Sequence, residues 1–275
     1  QSLTHFTTEQ GLTDNYVNTI LEWNHGSVWV GTRDGISAYD PLKNIFQEVN
    51  GDPLTSGNIT VLSYDKDNQR IWAGKPEGLI SYDIQSQQWT EPNSPDQSNF
   101  CKRSIRSIAL NQGHLWLGTS SGLVEYSVPD DNWHEHRALI TREPLMEMGV
   151  SNIEFDGNYV WFSNWSDSKN GTIVRFDKSS NTWQSFGRET VLKDIKTEAM
   201  TVVIRIVVDK DAVWFTTNYG LLRYDKLGNV WDHYTKEDGL ADNGIRYIAC
   251  GDNVIWVSYW STARLIGTEL SLFYK

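Results

Sequence analysis

Short apolar runs alternate with polar, glycine-bearing turns along the whole chain, and one phrase keeps returning. It first reads Val28-Trp29-Val30-Gly31-Thr32, a polar turn, then Gly35-Ile36-Ser37-Ala38-Tyr39-Asp40. Close copies are Ile71-Trp72-Ala73-Gly74 with Gly78 to Asp83, and Leu115-Trp116-Leu117-Gly118-Thr119 with Gly122 to Tyr126. Looser copies centre on Trp161 and Trp214, and the last, Ile255-Trp256-Val257-Ser258, lacks the glycine-led second half. Runs of this length, rich in aromatic and β-branched residues and bounded by turn residues, predict strands joined by hairpins.

The six tryptophans are separated by 43, 44, 45, 53 and 42 residues. Before each lies an apolar pair (Val17/Ile20, Ile59/Leu62, Ile105/Ile108, Val150/Ile153, Val203/Ile206 and Ile245/Ile248), and an outer segment such as Gln88-Trp89-Thr90 or Thr182-Trp183-Gln184 follows most units. Four strands per forty-odd residues is the period of a β-propeller blade. The expected fold is therefore all-β: a six-bladed β-propeller of four-stranded antiparallel blades, one domain over residues 1–275. Its inner strands begin near 17, 59, 105, 150, 203 and 245.

The two ends echo one another. His5-Phe6-Thr7-Thr8-Glu9-Gln10-Gly11-Leu12 returns as His233-Tyr234-Thr235-Lys236-Glu237-Asp238-Gly239-Leu240, where it leads from an outer strand into the next blade. Residues 3–8 are thus expected to supply the outer strand of the last blade and close the ring, removing open sheet edges. The competing account is an excerpt from a longer array.

Composition narrows the function classes. Thirteen Trp, twelve Tyr and nine Phe in a chain only 39% hydrophobic suit many small interfaces, each anchored by a large ring. A net charge of −11 argues against nucleic acid as a partner, because such binding draws on neutralised phosphates. No run approaches the roughly eighteen apolar residues of a membrane span, so no membrane insertion is expected. Cys101 and Cys250 show no metal-type spacing and leave the compartment open.

Gly239-Leu240 followed by Asp242-Asn243, an apolar pair, Trp-x-Gly-Thr and Gly-Leu-x-x-Tyr-Asp together resemble the repeats of the two-component regulator propeller family, over essentially the whole chain. Units one, three and five match well, and units four and six depart after the Trp strand. The resemblance implies a sensor-type propeller in the periplasm or outside a bacterial cell, in a family many of whose members are implicated in sensing glycans. Related propellers include polysaccharide lyases and a streptogramin lyase, which keeps an enzymatic reading open.

The turns between second and third strands emerge on the face where a propeller gathers its ligand site. Trp165 and Trp260 stand in two of these turns where other units carry small polar residues, suited to stacking on a sugar or to capping their own loops. Arg103, Arg106, Arg205 and Arg246 lie at or near the starts of inner strands, with Arg33, Tyr219 and Arg264 in the turns. A guanidinium fork suits carboxylate or sulfate oxygens. The competing account pairs each Arg with an acid such as Glu22, Glu154 or Asp242.

These nine residues form the candidate ligand site for a small molecule or acidic oligosaccharide. None of the six histidines is placed as a general base; Tyr219, Lys75 and Lys169 remain candidates if the chain is a lyase. No loop supplies the oxygens that Ca²⁺ needs, so no cofactor is expected. Three readings follow: a sensor-like binding domain without catalysis, a carbohydrate-active lyase, and a platform for a protein partner. Two long connections, 135–149 and 187–201, are expected on the same face as a lid or a simple cover.

Overall fold

The structure is a computed structural model that describes residues 4–23, 26–49, 52–93, 100–136, 149–164, 173–187, 202–251, 254–259 and 270–274, the last five as backbone. It divides into two compact units, Gln1–His136 and Arg137–Lys275.

The first unit holds three four-stranded antiparallel meanders. They are β1 (Val17–Trp23), β2 (Ser27–Thr32), β3 (Gly35–Asp40) and β4 (Ile45–Glu48); β5 (Val61–Asp65), β6 (Arg70–Lys75), β7 (Gly78–Asp83) and β8 (Gln88–Thr90); and β9 (Ile105–Asn111), β10 (His114–Thr119), β11 (Gly122–Ser127) and β12 (Asn132–Glu135). The second unit holds two more: β13 (Val150–Asp156), β14 (Tyr159–Asn164), β15 (Ile173–Asp177) and β16 (Thr182–Phe186), then β17 (Val203–Val208), β18 (Ala212–Thr217), β19 (Gly220–Asp225) and β20 (Val230–Tyr234). Its last sheet has three strands among the described residues: β21 (Ile245–Cys250), β22 (Val254–Tyr259) and β23 (Leu270–Tyr274). First strands begin where the periodicity predicts, except that β5 starts two residues late. The strand expected over residues 3–8 is not among those described: Thr4–Thr7 have no regular structure, and Thr8–Gln10 form a 3-10 turn.

Each part of the repeated phrase has a separate duty. The Trp of one sheet packs on the next: Trp29 meets Ile71, Tyr82 and Trp89; Trp72 meets Leu115 and Tyr126; Trp161 meets Phe215 and Tyr224; Trp214 meets Ile245 and Ile255. Two residues after the first of these, Gly31 lets the next sheet approach, since a Cβ there would lie 2.7 Å from Ile59 Cγ2. The Thr closes the hairpin. Thr32, Thr119 and Thr217 each donate through Oγ1 to the carbonyl of the glycine three residues on, at 3.1, 2.8 and 2.9 Å. That glycine holds φ of +108° in Gly35 and +116° in Gly220, a region costly for side chains.

The closing Tyr-Asp clamps the next turn. Asp40, Asp83 and Asp177 accept backbone N–H groups two and three residues ahead, and Asp225 accepts from Gly228. The hydroxyls of Tyr39, Tyr126 and Tyr224 donate to Asn44, Asp131 and Asn229 at 2.7, 2.8 and 2.5 Å. These are Asx-type turns, with the Tyr pinning the residue that takes positive φ.

Two expectations from the repeat change. Trp256 is 40% exposed while its five counterparts lie between 0 and 7%. Val17 and Ile20 are 40 and 67% exposed, against 0 and 6% for Ile59 and Leu62. Equal spacing therefore does not give the first and last sheets the burial of the others. Cys101 and Cys250 are both free thiols.

Candidate functional site

The first strands carry a shared irregularity. In β1, β9, β13, β17 and β21 the pairing to the second strand skips one residue: Asn18, Arg106, Ser151, Ile204 and Arg246. A bulge breaks the alternation of faces and re-aims side chains. In β21 it turns Arg246 and Tyr247, consecutive in sequence, both to solvent after buried Ile245.

Side chains at or beside the bulge, and Thr60 just before β5, tie neighbouring repeats together. Asn18 Nδ2 donates to Ile59 O at 2.9 Å, Thr60 Oγ1 to Ile105 O at 2.6 Å, and Asn152 Nδ2 to Ile204 O at 3.0 Å. In the second unit β13, β17 and β21 lie side by side.

On that surface Asn152, Glu154, Arg205, Arg246 and Tyr247 gather. The Arg205 guanidinium donates to Asn152 Oδ1 at 3.3 Å, and its Cζ lies 5.4 Å from the centre of the Tyr247 ring. Arg246 Cζ lies 5.3 Å from the same ring. Two cations thus lie within reach of one ring and gain from its negative face. Tyr247, 46% exposed, also leaves apolar ring area open to a ligand. Glu154 answers Arg205 from β13. Although the residue is exposed at the surface, the strands packed around its carboxyl push it up to about 7, against the opposing pull of Arg205.

The expected site residues separate into three groups. Arg205 and Arg246 come together in the cluster just described. In the first unit, Arg33 lies with its Cζ 3.5 Å from the Tyr16 ring centre, and Arg106 is exposed at its bulge. Arg103 is paired: its Nη1 meets Glu135 Oε1 at 2.6 Å with both side chains largely shielded, and its guanidinium covers Phe100 at 4.8 Å. The competing account of internal pairing holds for Arg103, with Glu135 as the acid rather than those expected. In the second unit Tyr219 is half-buried, its ring beside His233 and its carbonyl accepting from His233 Nε2 at 2.8 Å. Trp165, Trp260 and Arg264 lie outside the described residues.

Sequence reasoning missed Tyr247, and treated Glu154 only as a salt-bridge partner. The available signal was the pair Arg246-Tyr247, two large polar-edged side chains in a row directly after the apolar start of a strand. Among the described residues no group of three or more His, Cys, Asp or Glu is placed to hold a metal ion, and no helix is long and apolar enough to cross a membrane.

No family model and no curated protein matches this sequence. Solved structures do match. The extracellular domain of a protein described as a one-component system of B. thetaiotaomicron superposes with a TM-score of 0.72 at 17% identity, over 96% of this chain and 33% of its own. That of a protein described as a hybrid two-component system from the same organism gives 0.60 at 16%, over 94% of this chain and 40% of its own. Virginiamycin B lyase from Staphylococcus aureus gives 0.66 at 16%, over 94% of this chain and 84% of its own. The chain thus spans only about a third of the first of these. Identities this low establish fold alone: the six antiparallel meanders are those of a propeller-like, all-β chain, the architecture found in these sensor ectodomains.

Proposed function

We infer that the chain is a ligand-binding, sensor-type propeller domain that recognises an acidic oligosaccharide without chemical conversion. The observation that carries this reading is the arrangement of Arg205 and Arg246 around the exposed ring of Tyr247: paired donors for a carboxylate or sulfate, beside a flat face for a sugar ring. No cofactor enters it. Under this reading residues 1–275 form one six-bladed ring, working in the periplasm or outside a bacterial cell, with residues 3–8 completing the last blade.

The two chain ends support that closure by folding alike. Thr7 and Thr235 each cap a 3-10 turn with a reciprocal capping box, and Gly11 and Gly239 end those turns with φ of +93° and +106°. Asn15 and Asn243 accept from Thr8 N and Lys236 N at 2.8 and 2.7 Å. In the second copy this motif follows an outer strand, β20.

A glycan array followed by calorimetry with uronate and sulfated oligosaccharides tests the binding reading. Binding to an acidic glycan is expected, with Arg205→Ala and Tyr247→Ala each weakening it about tenfold or more. No acidic ligand at all would sink it. Retention of affinity in both variants would move the site elsewhere.

One observation favours the lyase alternative. A carboxyl held near 7 beside an arginine has the composition of a general base next to a group that neutralises a uronate. Release of an unsaturated, ultraviolet-absorbing product from uronate polymers, lost in Glu154→Gln, decides for that alternative.

A further inference from the structure

The first sheet departs from the repeat at two positions that meet in space. Immediately before the leading apolar residue of each repeat stand Tyr16, Asn58, Ser104, Gly149, Val202 and Gly244, so only the first is aromatic. The register sets Val17 opposite Thr32, Ile105 opposite Thr119 and Val203 opposite Thr217. After those threonines come Arg33, Ser120 and Asn218, so the cation also belongs to the first sheet. The backbone does not ask for either side chain. Arg33 N donates to Tyr16 O at 3.1 Å, and Ser120 N donates to Ser104 O at 3.0 Å in the same way. Two hydroxymethyl groups accompany that bond in the third sheet, where the first has a phenol and a guanidinium.

The two large side chains stack. Arg33 Cζ lies 3.5 Å from the Tyr16 ring centre, a separation that a guanidinium reaches only by lying flat on the ring. Its N–H donors then point outward within that plane. Among the described residues none of them meets an acceptor: Asp14 Oδ1 is occupied by Tyr16 N at 2.6 Å, and Asp34 forms no ion pair with Arg33. Both partners are open to solvent, Arg33 exposed and Tyr16 55% exposed. A cation without an acid is unusual on a chain of net charge −11.

A guanidinium pinned in this way is a fork for a carboxylate, oriented before the ligand arrives. The open part of the Tyr16 ring beside it suits the C–H face of a sugar. A simple carboxylate uses only the fork and a neutral sugar only the ring, whereas a uronate uses both. We propose that Tyr16 and Arg33 of the first unit form a binding site for a single uronate residue, separate from the arginine–tyrosine surface of the second unit. The ligand class rests on the acidic-glycan reading above; the site rests on the stack and its contrast with Ser104 and Ser120.

Titration of the isotope-labelled full chain with glucuronate, followed by NMR through the arginine Nε–Hε signals, tests this. Glucuronate is expected to shift the Arg33 signal, identified as the one missing from Arg33→Ser, and glucose to leave it in place. Acetate is expected to shift it only at about tenfold higher concentration. Tyr16→Ser is expected to weaken glucuronate binding at Arg33 about fivefold and Arg33→Ser to remove it. Melting temperatures should be preserved, because Ser104 and Ser120 hold the same backbone bond. If a serine variant does not fold, Arg33→Lys keeps the charge without the fork and is expected to weaken binding about fivefold. The Arg33 shift should persist in Tyr247→Ala. Acidic glycan that binds only through Tyr247 overturns this site and leaves the earlier reading intact; a shift at Arg33, with no binding lost in Arg205→Ala or Tyr247→Ala, does the reverse. An unmoved Arg33 signal, acetate as effective as glucuronate, or unaltered affinity in Arg33→Lys also overturns the proposal.

Discussion

The guanidinium of Arg205 stands 5.4 Å from the ring centre of Tyr247 on the adjoining first strand, so a cation of β17 and an aromatic of β21 form one recognition surface. A planar, weakly hydrated guanidinium loses less hydration over a ring than an ammonium does, so it makes the stronger cation–π contact. Arg205→Lys is therefore expected to weaken binding of an acidic glycan by about 1 kcal/mol, roughly fivefold, without changing the net charge. Calorimetry on the variant checks this, and unaltered affinity would show that charge alone suffices.

Glu154 makes that surface sensitive to pH. With its carboxyl raised to about 7 it is mostly neutral at pH 6 and anionic at pH 8, where it competes for Arg205. Affinity for an acidic ligand is expected to fall across that interval in the native chain and to stay level in Glu154→Gln. The stability effect has the same origin. The folded chain holds this proton more firmly than the unfolded one, whose carboxyl has a pKa of 4.5, so this contribution is present below pH 4.5 and is lost as pH rises to about 7. Thermal melts of native and Glu154→Gln chains between pH 5 and pH 8 should diverge in slope.

Tryptophans that are identical in the repeat should not be equal in energy. Trp161 is fully buried and packs on Phe215 and Tyr224. Trp161→Ala is expected to cost about 3–5 kcal/mol, from lost burial plus the cavity left behind. Trp256, 40% exposed, is expected to cost about 1–2 kcal/mol when replaced in the same way. Urea denaturation of the two variants measures the difference; equal losses would mean that Trp256 is covered in solution.

Arg103 is expected to behave as a brace. Its pair with Glu135 joins the segment before β9 to the outer strand β12, and both side chains are mostly shielded, 20 and 14% exposed. Arg103→Ala should destabilise the chain by about 1 kcal/mol while leaving glycan affinity unchanged. A loss of affinity at full stability would return it to the binding site.

Gly31 tests the spacing between sheets directly. A methyl there meets Thr19 Cγ2 at 2.6 Å and Ile59 Cγ2 at 2.7 Å, both on stiff β-branched side chains. Gly31→Ala is expected to cost about 1–3 kcal/mol through overpacking, read as an earlier urea midpoint with an unchanged slope.

The repeated phrase was readable because every residue in it acts locally or on the nearest sheet. Trp-x-Gly-Thr states a packing ring, a close approach and a hairpin closure; Gly-Leu-x-x-Tyr-Asp states a positive φ and a clamped turn. Such duties recur unchanged from sheet to sheet, so comparison of the copies exposes them. The candidate site was readable only in part. Arg205 and Arg246 stood out as arginines at or near the starts of inner strands, but the same criterion singled out Arg103, whose Glu135 partner lies 32 residues away.

Tyr247 escaped notice because simple alternation assigns opposite faces to neighbouring residues, and a bulge is set by pairing between strands rather than by composition. Period and residue chemistry along the chain are enough to specify strands, turns and the order of the sheets, because those depend on contacts close in sequence. Which polar side chains share a surface, and which spaces stay open, depends on contacts tens of residues apart, and these come into being only when the sheets pack.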